Sequence, residues 1–138
     1  MTSFKSCSIL GHLLRTPYTL GLDLGLKWVG YVMASASPLK SLIIKKKGAV
    51  KRRDLISFLG QIKPKTIVVI GISSDIDGKY NYNNKLTDEE ATLIKDLVVF
   101  YQDEFNSSQE AEQLVGNSKL AIQAMSAQII LERFLNEN

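Results

Sequence analysis

Histidine and cysteine are almost missing from this chain: its 138 residues contain one of each, His12 and Cys7, and only three prolines. A single cysteine excludes an internal disulfide and any zinc cluster built on thiolates. A single histidine leaves imidazole-based acid–base catalysis little to draw on, and both residues read as incidental. No apolar run approaches the ~20 residues of a membrane span, so a soluble chain with no membrane partner is expected. Acid is scarce over residues 1–74, where 12 Lys and Arg face only 2 Asp and Glu; over 75–138 the counts are 5 and 12. That lopsidedness suggests a basic face for a polyanion, nucleic acid first, with plain solubility as the alternative.

An apolar fraction of 45% and a charged fraction of 22% are those of an ordinary globule, and the length suits one domain. The organising stretch is Thr19-Leu20-Gly21-Leu22-Asp23-Leu24, then Gly25-Leu26-Lys27, then Trp28-Val29-Gly30-Tyr31-Val32-Met33-Ala34. It reads as two short strands hinged at Gly25. A carboxylate within an apolar strand is costly unless a metal, a donor or water compensates it, so Asp23 needs a reason. The plain alternative is an Asp that closes the turn through its own backbone.

Residues 1–18 read as an N-terminal extension with a short helix around Ile9-Leu10 and Leu13-Leu14, and 19–138 as the domain. The extension has no acid, which keeps an organellar address as an alternative to the cytoplasm. After the hairpin, a third strand is expected over 41–46. A helix over 50–62 would bury Leu55, Ile56, Phe58, Leu59 and Ile62. Lys45, Lys46, Lys47, Lys51, Arg52 and Arg53 make the densest basic patch, either a phosphate-contacting surface or a solvated charge run.

Thr66-Ile67-Val68-Val69-Ile70 is a β-branched run of the kind buried on both faces, and 71–78 reads as the loop after it, at the ligand-binding edge of a parallel sheet. Thr87-Asp88-Glu89-Glu90 is a capping box opening a helix to about residue 96. A fifth strand spans 97–101 with Asp103-Glu104 at its end, a short helix is capped at Ser107-Ser108, and a long helix covers 120–135. Together these give an α/β fold, a mixed five-stranded sheet flanked by helices. On such a sheet Asp23 and the Asp103-Glu104 pair can approach one another. Clustered carboxylates bind Mg²⁺ or Mn²⁺ and need neither His nor Cys.

Four segments in this order, LDLGLKWVG, TIVVIG followed by Asp77-Gly78, QDEFNSSQEAEQL and AMSAQIILERFL, resemble the YqgF/RuvX-like family, the Holliday-junction-resolvase-like pre-16S rRNA nucleases. The resemblance covers about residues 19–135 and implies a ribonuclease-H-like fold and divalent-metal-dependent nucleic-acid cleavage. It also implies a cytosolic role in maturing the 5′ end of small-subunit ribosomal RNA. Carried over by residue, Asp23 corresponds to the first-strand metal acid and Asp103 and Glu104 to the acidic pair, the three catalytic candidates. Lys27, Gly25 and Gly30 fall in the glycine-rich hairpin, and Ser107 and Ser108 in the hydroxyl pair. Asp23, Glu104 and Gln123 are the candidate metal ligands. Lys27, the patch from Lys45 to Arg53, and Ser107 and Ser108 are candidates for nucleic-acid contact, with structured RNA or branched DNA as partner and a monomer or homodimer as the assembly.

Four residues depart from the family pattern: Leu26 replaces a Thr, Trp28 a basic or polar residue, Phe105 an Arg, and Gln123 the Asp of the last helix. A neutral amide oxygen can bind Mg²⁺ but brings no charge. A non-catalytic member that binds RNA or a ribosome-assembly partner is therefore the alternative. A third reading, the sugar-kinase and actin-like ATPase group, shares an Asp-x-Gly hairpin but closes two lobes over its nucleotide.

Overall fold

Six strands and four helices organise the residues that the computed structural model of the chain describes, 18–36, 42–74, 80–81, 86–103, 107–116 and 118–137. The extension up to residue 17, the Asp77-Gly78 loop and Glu104 lie outside them. Strand β1, Thr19–Leu24, is buried along its whole length, as its apolar sequence requires. It pairs antiparallel with β2, Trp28–Ala36, and β2 pairs antiparallel with β3, Leu42–Lys51. β4, Ile67–Ser74, lies parallel to β1 on its other side, and β6, Val98–Asp103, lies parallel to β4. A two-residue strand β5, Tyr80–Asn81, pairs with the end of β4. The main sheet order is thus β3-β2-β1-β4-β6, a mixed five-stranded α/β sheet.

The two faces of the sheet carry separate cores. On one, Val32, Ala34, Ile67 and Val69 pack against Ala127, Ile130, Leu131, Phe134 and Leu135 of the long helix α4, Lys119–Glu137. The shorter α3, Ser107–Val115, packs on α4. α3 ends at Gly116, whose N–H donates to Glu112 O at 2.9 Å and whose φ of +83° suits glycine far better than an L side chain. On the other face, Leu20, Leu22, Leu24, Val68 and Ile70 pack against Leu55 and Leu59 of α1, Leu55–Leu59. Ile94, just after α2, Asp88–Leu93, completes that core. Each such fully buried aliphatic side chain contributes about 1.5–3 kcal/mol.

The Thr87 capping box forms as expected: Thr87 N donates to Glu90 Oε1 at 2.8 Å and Glu90 N donates to Thr87 Oγ1 at 3.2 Å. Two expectations are corrected. The helix expected over 50–62 is only the five residues of α1, preceded by a 3-10 turn over Arg52–Asp54, because β3 runs on to Lys51. The β2–β3 pairing holds it there, Trp28 against Lys51 and Val29 against Val50, and Arg52 N then donates to Lys27 O at 2.8 Å. Strand β4 likewise continues through Gly71 to Ser74, where a loop is expected, because β6 keeps pairing with it to Ile72 and β5 pairs with Ser73 and Ser74. Among the described residues no helix is long and apolar enough to cross a membrane.

Candidate active site

The register puts Asp23 at the carboxyl end of β1, opposite Gly30 of β2. The Gly30 side of this rung faces α4: a Cβ on Gly30 would overlap the backbone carbonyl of Gln123. Cross-strand partners point to the same face, so Asp23 also points toward α4. It is only 8% exposed, so the carboxylate lies at the buried end of an apolar strand. Gln123 arrives at the same place from the helix, with its Nε2 3.5 Å from where a Gly25 Cβ would stand. Its Oε1 is buried and has no hydrogen-bond partner. A buried unpaired amide oxygen costs about 1–3 kcal/mol, so the Gln123 side chain, lodged against the glycine turn that follows Asp23, needs a partner or a function.

The end of β6 contributes differently from the expectation. The row Leu22, Ile70, Tyr101 crosses β1, β4 and β6, so Gln102 lies in the row of Asp23 and Asp103 one row beyond. Phe100, two residues before Gln102, stacks on Phe134 of α4 with ring centroids 5.0 Å apart. Alternation therefore sends Gln102 to the face of Asp23 and Asp103 to the opposite one. Gln102, 7% exposed, is the polar residue that sequence reading missed, and the alternation from Phe100 is the signal that finds it. Arg133 Nη1 of α4 donates to the Asp103 carbonyl at 3.5 Å. Among the described residues no three His, Cys, Asp or Glu gather closely enough to hold a metal.

The glycine turn is clamped from the second face. Gly25 N donates to Trp28 O at 3.0 Å, and Arg52 Nη1 donates to Gly25 O at 2.9 Å. Arg52 also makes a two-pronged ion pair with Glu90, Nε to Oε2 at 3.0 Å and Nη2 to Oε1 at 2.8 Å. Burial pushes the Glu90 carboxyl up, but the Arg52 guanidinium and the Thr87 N–H and hydroxyl outweigh it and hold the group below its ordinary 4.5. Arg52, expected to hold phosphate, thus spends its guanidinium on bracing the turn. Lys27, Lys45, Lys46, Lys47, Lys51 and Arg53 are exposed. Ser107, a candidate for nucleic-acid contact, is buried, its Oγ accepting from Ser126 Oγ of α4 at 2.8 Å, while Ser108 beside it is exposed.

The model of the family described as "RuvX: Holliday junction resolvase" matches residues 17–137. Proteins of Mesomycoplasma hyopneumoniae strains 7448 and J, each named "Putative pre-16S rRNA nuclease", are 28% identical, the match covering 85% of this chain and 92% of theirs. Among solved structures, Thermus thermophilus RuvC in complex with Holliday junction substrate is similar at a TM-score of 0.46 and 10% identity, over 86% of this chain and 93% of that one. A second T. thermophilus RuvC structure gives the same TM-score at 9% identity. The family match takes in every strand and helix described above, and this chain therefore belongs to the RuvX family of the Holliday junction resolvase type.

Proposed function

We propose that this chain is a divalent-metal-dependent nuclease that trims precursor 16S ribosomal RNA in the cytoplasm. The observation that carries the metal is the Gln123 amide oxygen, buried and unpaired where α4 crosses the rung of Asp23. An oxygen donor next to a buried carboxylate is the chemistry a hard cation selects. Asp23 and Gln123 would hold the ion together with Glu104, the acid that the family resemblance adds. When bound, Mg²⁺ or Mn²⁺ lowers the pKa of a coordinated water and offsets charge on the phosphodiester.

The chain's own residues do the rest. The Arg52–Glu90 brace and the Gly25–Trp28 bond fix the turn that follows Asp23, so the carboxylate is held in one orientation. Lys27 on that turn, Lys45, Lys46, Lys47 and Lys51 on β3, and Arg53 after it hold phosphates by charge without reading sequence. Exposed Ser108 can add a hydroxyl donor at the start of α3.

Purified protein given a structured precursor RNA and Mn²⁺ is expected to cleave it, and Asp23→Asn to abolish cleavage while binding persists. Gln123→Asp restores a negative charge and is expected to tighten Mn²⁺ binding in calorimetry and raise the rate. Cleavage that survives Asp23→Asn overturns the assignment.

A second reading, a non-catalytic RNA-binding member, is favoured by one specific observation: the residue that α4 brings to Asp23 is a neutral amide. Salt-sensitive RNA binding with no cleavage at any Mn²⁺ or Mg²⁺ concentration, in the parent and in Gln123→Asp alike, selects it.

A further inference from the structure

Two of the four departures from the family pattern, Leu26 and Trp28, sit together at the tip of the β1–β2 hairpin. They line one hollow with Lys27, Lys51, Arg52 and Arg53. Leu26 is 78% exposed, and it flanks the chain's one tryptophan, which is half-buried. Opposite Trp28 in the ladder stands the exposed ammonium chain of Lys51. An aromatic face bordered by an aliphatic side chain and by exposed cations is the composition that receives a base together with its phosphates.

We infer that this hollow is a stacking site for an unpaired base of an RNA strand, held against Trp28 with its flanking phosphates on Lys27, Lys51 and Arg53. The inference rests on the reading that the chain acts on RNA and names the part of the RNA it grips. Position supports it. Trp28 lies two residues before Gly30 on β2, about 7 Å along the strand from the rung of Asp23, and alternation puts both on one face. A base captured there places the adjoining backbone at the candidate cleavage rim.

Charge also sets the strand's course. The neighbouring hollow, across Arg52 and Arg53, is lined by exposed Asp88 and Glu89, which repel phosphate. The strand therefore leaves over the Lys51 side, toward Lys45, Lys46 and Lys47. A blunt duplex keeps its bases stacked on one another and cannot use the site. The selected RNA has an unpaired end or junction.

Because Trp28 is the chain's one tryptophan, excitation at a tryptophan-selective wavelength reads this position alone. The full chain is titrated, with metal chelated so that no cleavage occurs, with a short single-stranded RNA and with a blunt RNA duplex of the same sequence. The single strand is expected to quench Trp28 and the duplex to leave it unchanged. Trp28→Ala is expected to lose about tenfold or more in affinity for the single strand, and several-fold less for the duplex. Trp28→Phe keeps a ring and recovers most of the loss, and it serves if the alanine variant fails to fold. Leu120→Ala, at an exposed position of α4, is the control and binds both as the parent does. Binding of the single strand with unchanged fluorescence, or equal losses on both RNAs, overturns the stacking site and leaves the nuclease reading standing. No binding to either RNA overturns both.

Discussion

Glu90 acts on the hairpin's geometry through one intermediary, Arg52. Its Oε1 accepts at once from Thr87 N and from Arg52 Nη2, and through Arg52 it reaches Gly25 O. Removing Glu90 leaves the half-buried Arg52 charge without its acid, a loss smaller than the ~3–5 kcal/mol of a fully buried pair because water reaches the guanidinium. Glu90→Ala is therefore expected to lower the thermal midpoint markedly and to loosen the turn after Asp23. The pH dependence has a definite sign. The carboxyl lies below 4.5 in the folded state, so its contribution is complete above 4.5 and is lost as pH falls through the lower folded value. Thermal melts between pH 6 and pH 3 should show an acid-side drop in the parent that is smaller in Glu90→Gln. Identical acid-side slopes would show that the pair contributes nothing to stability.

How far the sequence can be read differs from element to element, and β1, β3 and β6 show why. β1 is legible because one acid in an otherwise apolar strand has few explanations, and Asp23 stands where that reading puts it. β3 is misjudged because its ladder to β2 is made by main chain, which a run of Lys45, Lys46 and Lys47 does not reveal. A bulge opposite Met33 and Ala34, where Lys45 has no partner of its own, further breaks the period-two pattern. On β6 the acidic pair draws attention, whereas alternation gives the inward position to Gln102. The Gln123 contribution is legible only as a departure, since nothing local in α4 says that its amide oxygen ends unpaired beside β1. The Thr87 cap, by contrast, is local chemistry and forms in full.

The contact between α4 and β2 belongs to the same scale and carries its own test. At Gly30 the helix backbone approaches so closely that no Cβ fits, and the obstacle is main chain, which cannot rotate away. Gly30→Ala is expected to cost more than the 1–3 kcal/mol usual for overpacking a core, since α4 must lift from the sheet. Lifting α4 carries Gln123 away from Asp23, so Mn²⁺ affinity should fall together with the thermal midpoint. A variant that melts like the parent and binds Mn²⁺ equally would remove the structural reason for placing Gln123 at the site.

Taken across the sheet, one edge is strongly basic. β3, with exposed Lys45, Lys46, Lys47 and Lys51, is one edge of the order β3-β2-β1-β4-β6, and β6, ending in Asp103, is the other. Four strand spacings separate them by about 19 Å, roughly two Debye lengths at physiological salt, so Asp103 does little to cancel the field at the basic edge. A nucleic acid approaching from bulk is thus drawn to the β3 edge and meets the hairpin tip and Asp23 from that side. If those lysines hold phosphates, each contributes about 0.7 to the slope of log affinity against log salt for a single strand. The triple change Lys45→Gln, Lys46→Gln, Lys47→Gln should flatten that slope by about 2 and weaken RNA binding most at low salt. Because the three side chains are exposed on an edge strand, the melting temperature should stay within a few degrees of the parent's. An unaltered slope in a folded triple variant would move the nucleic-acid path off β3 and onto the hairpin tip and Arg53 alone.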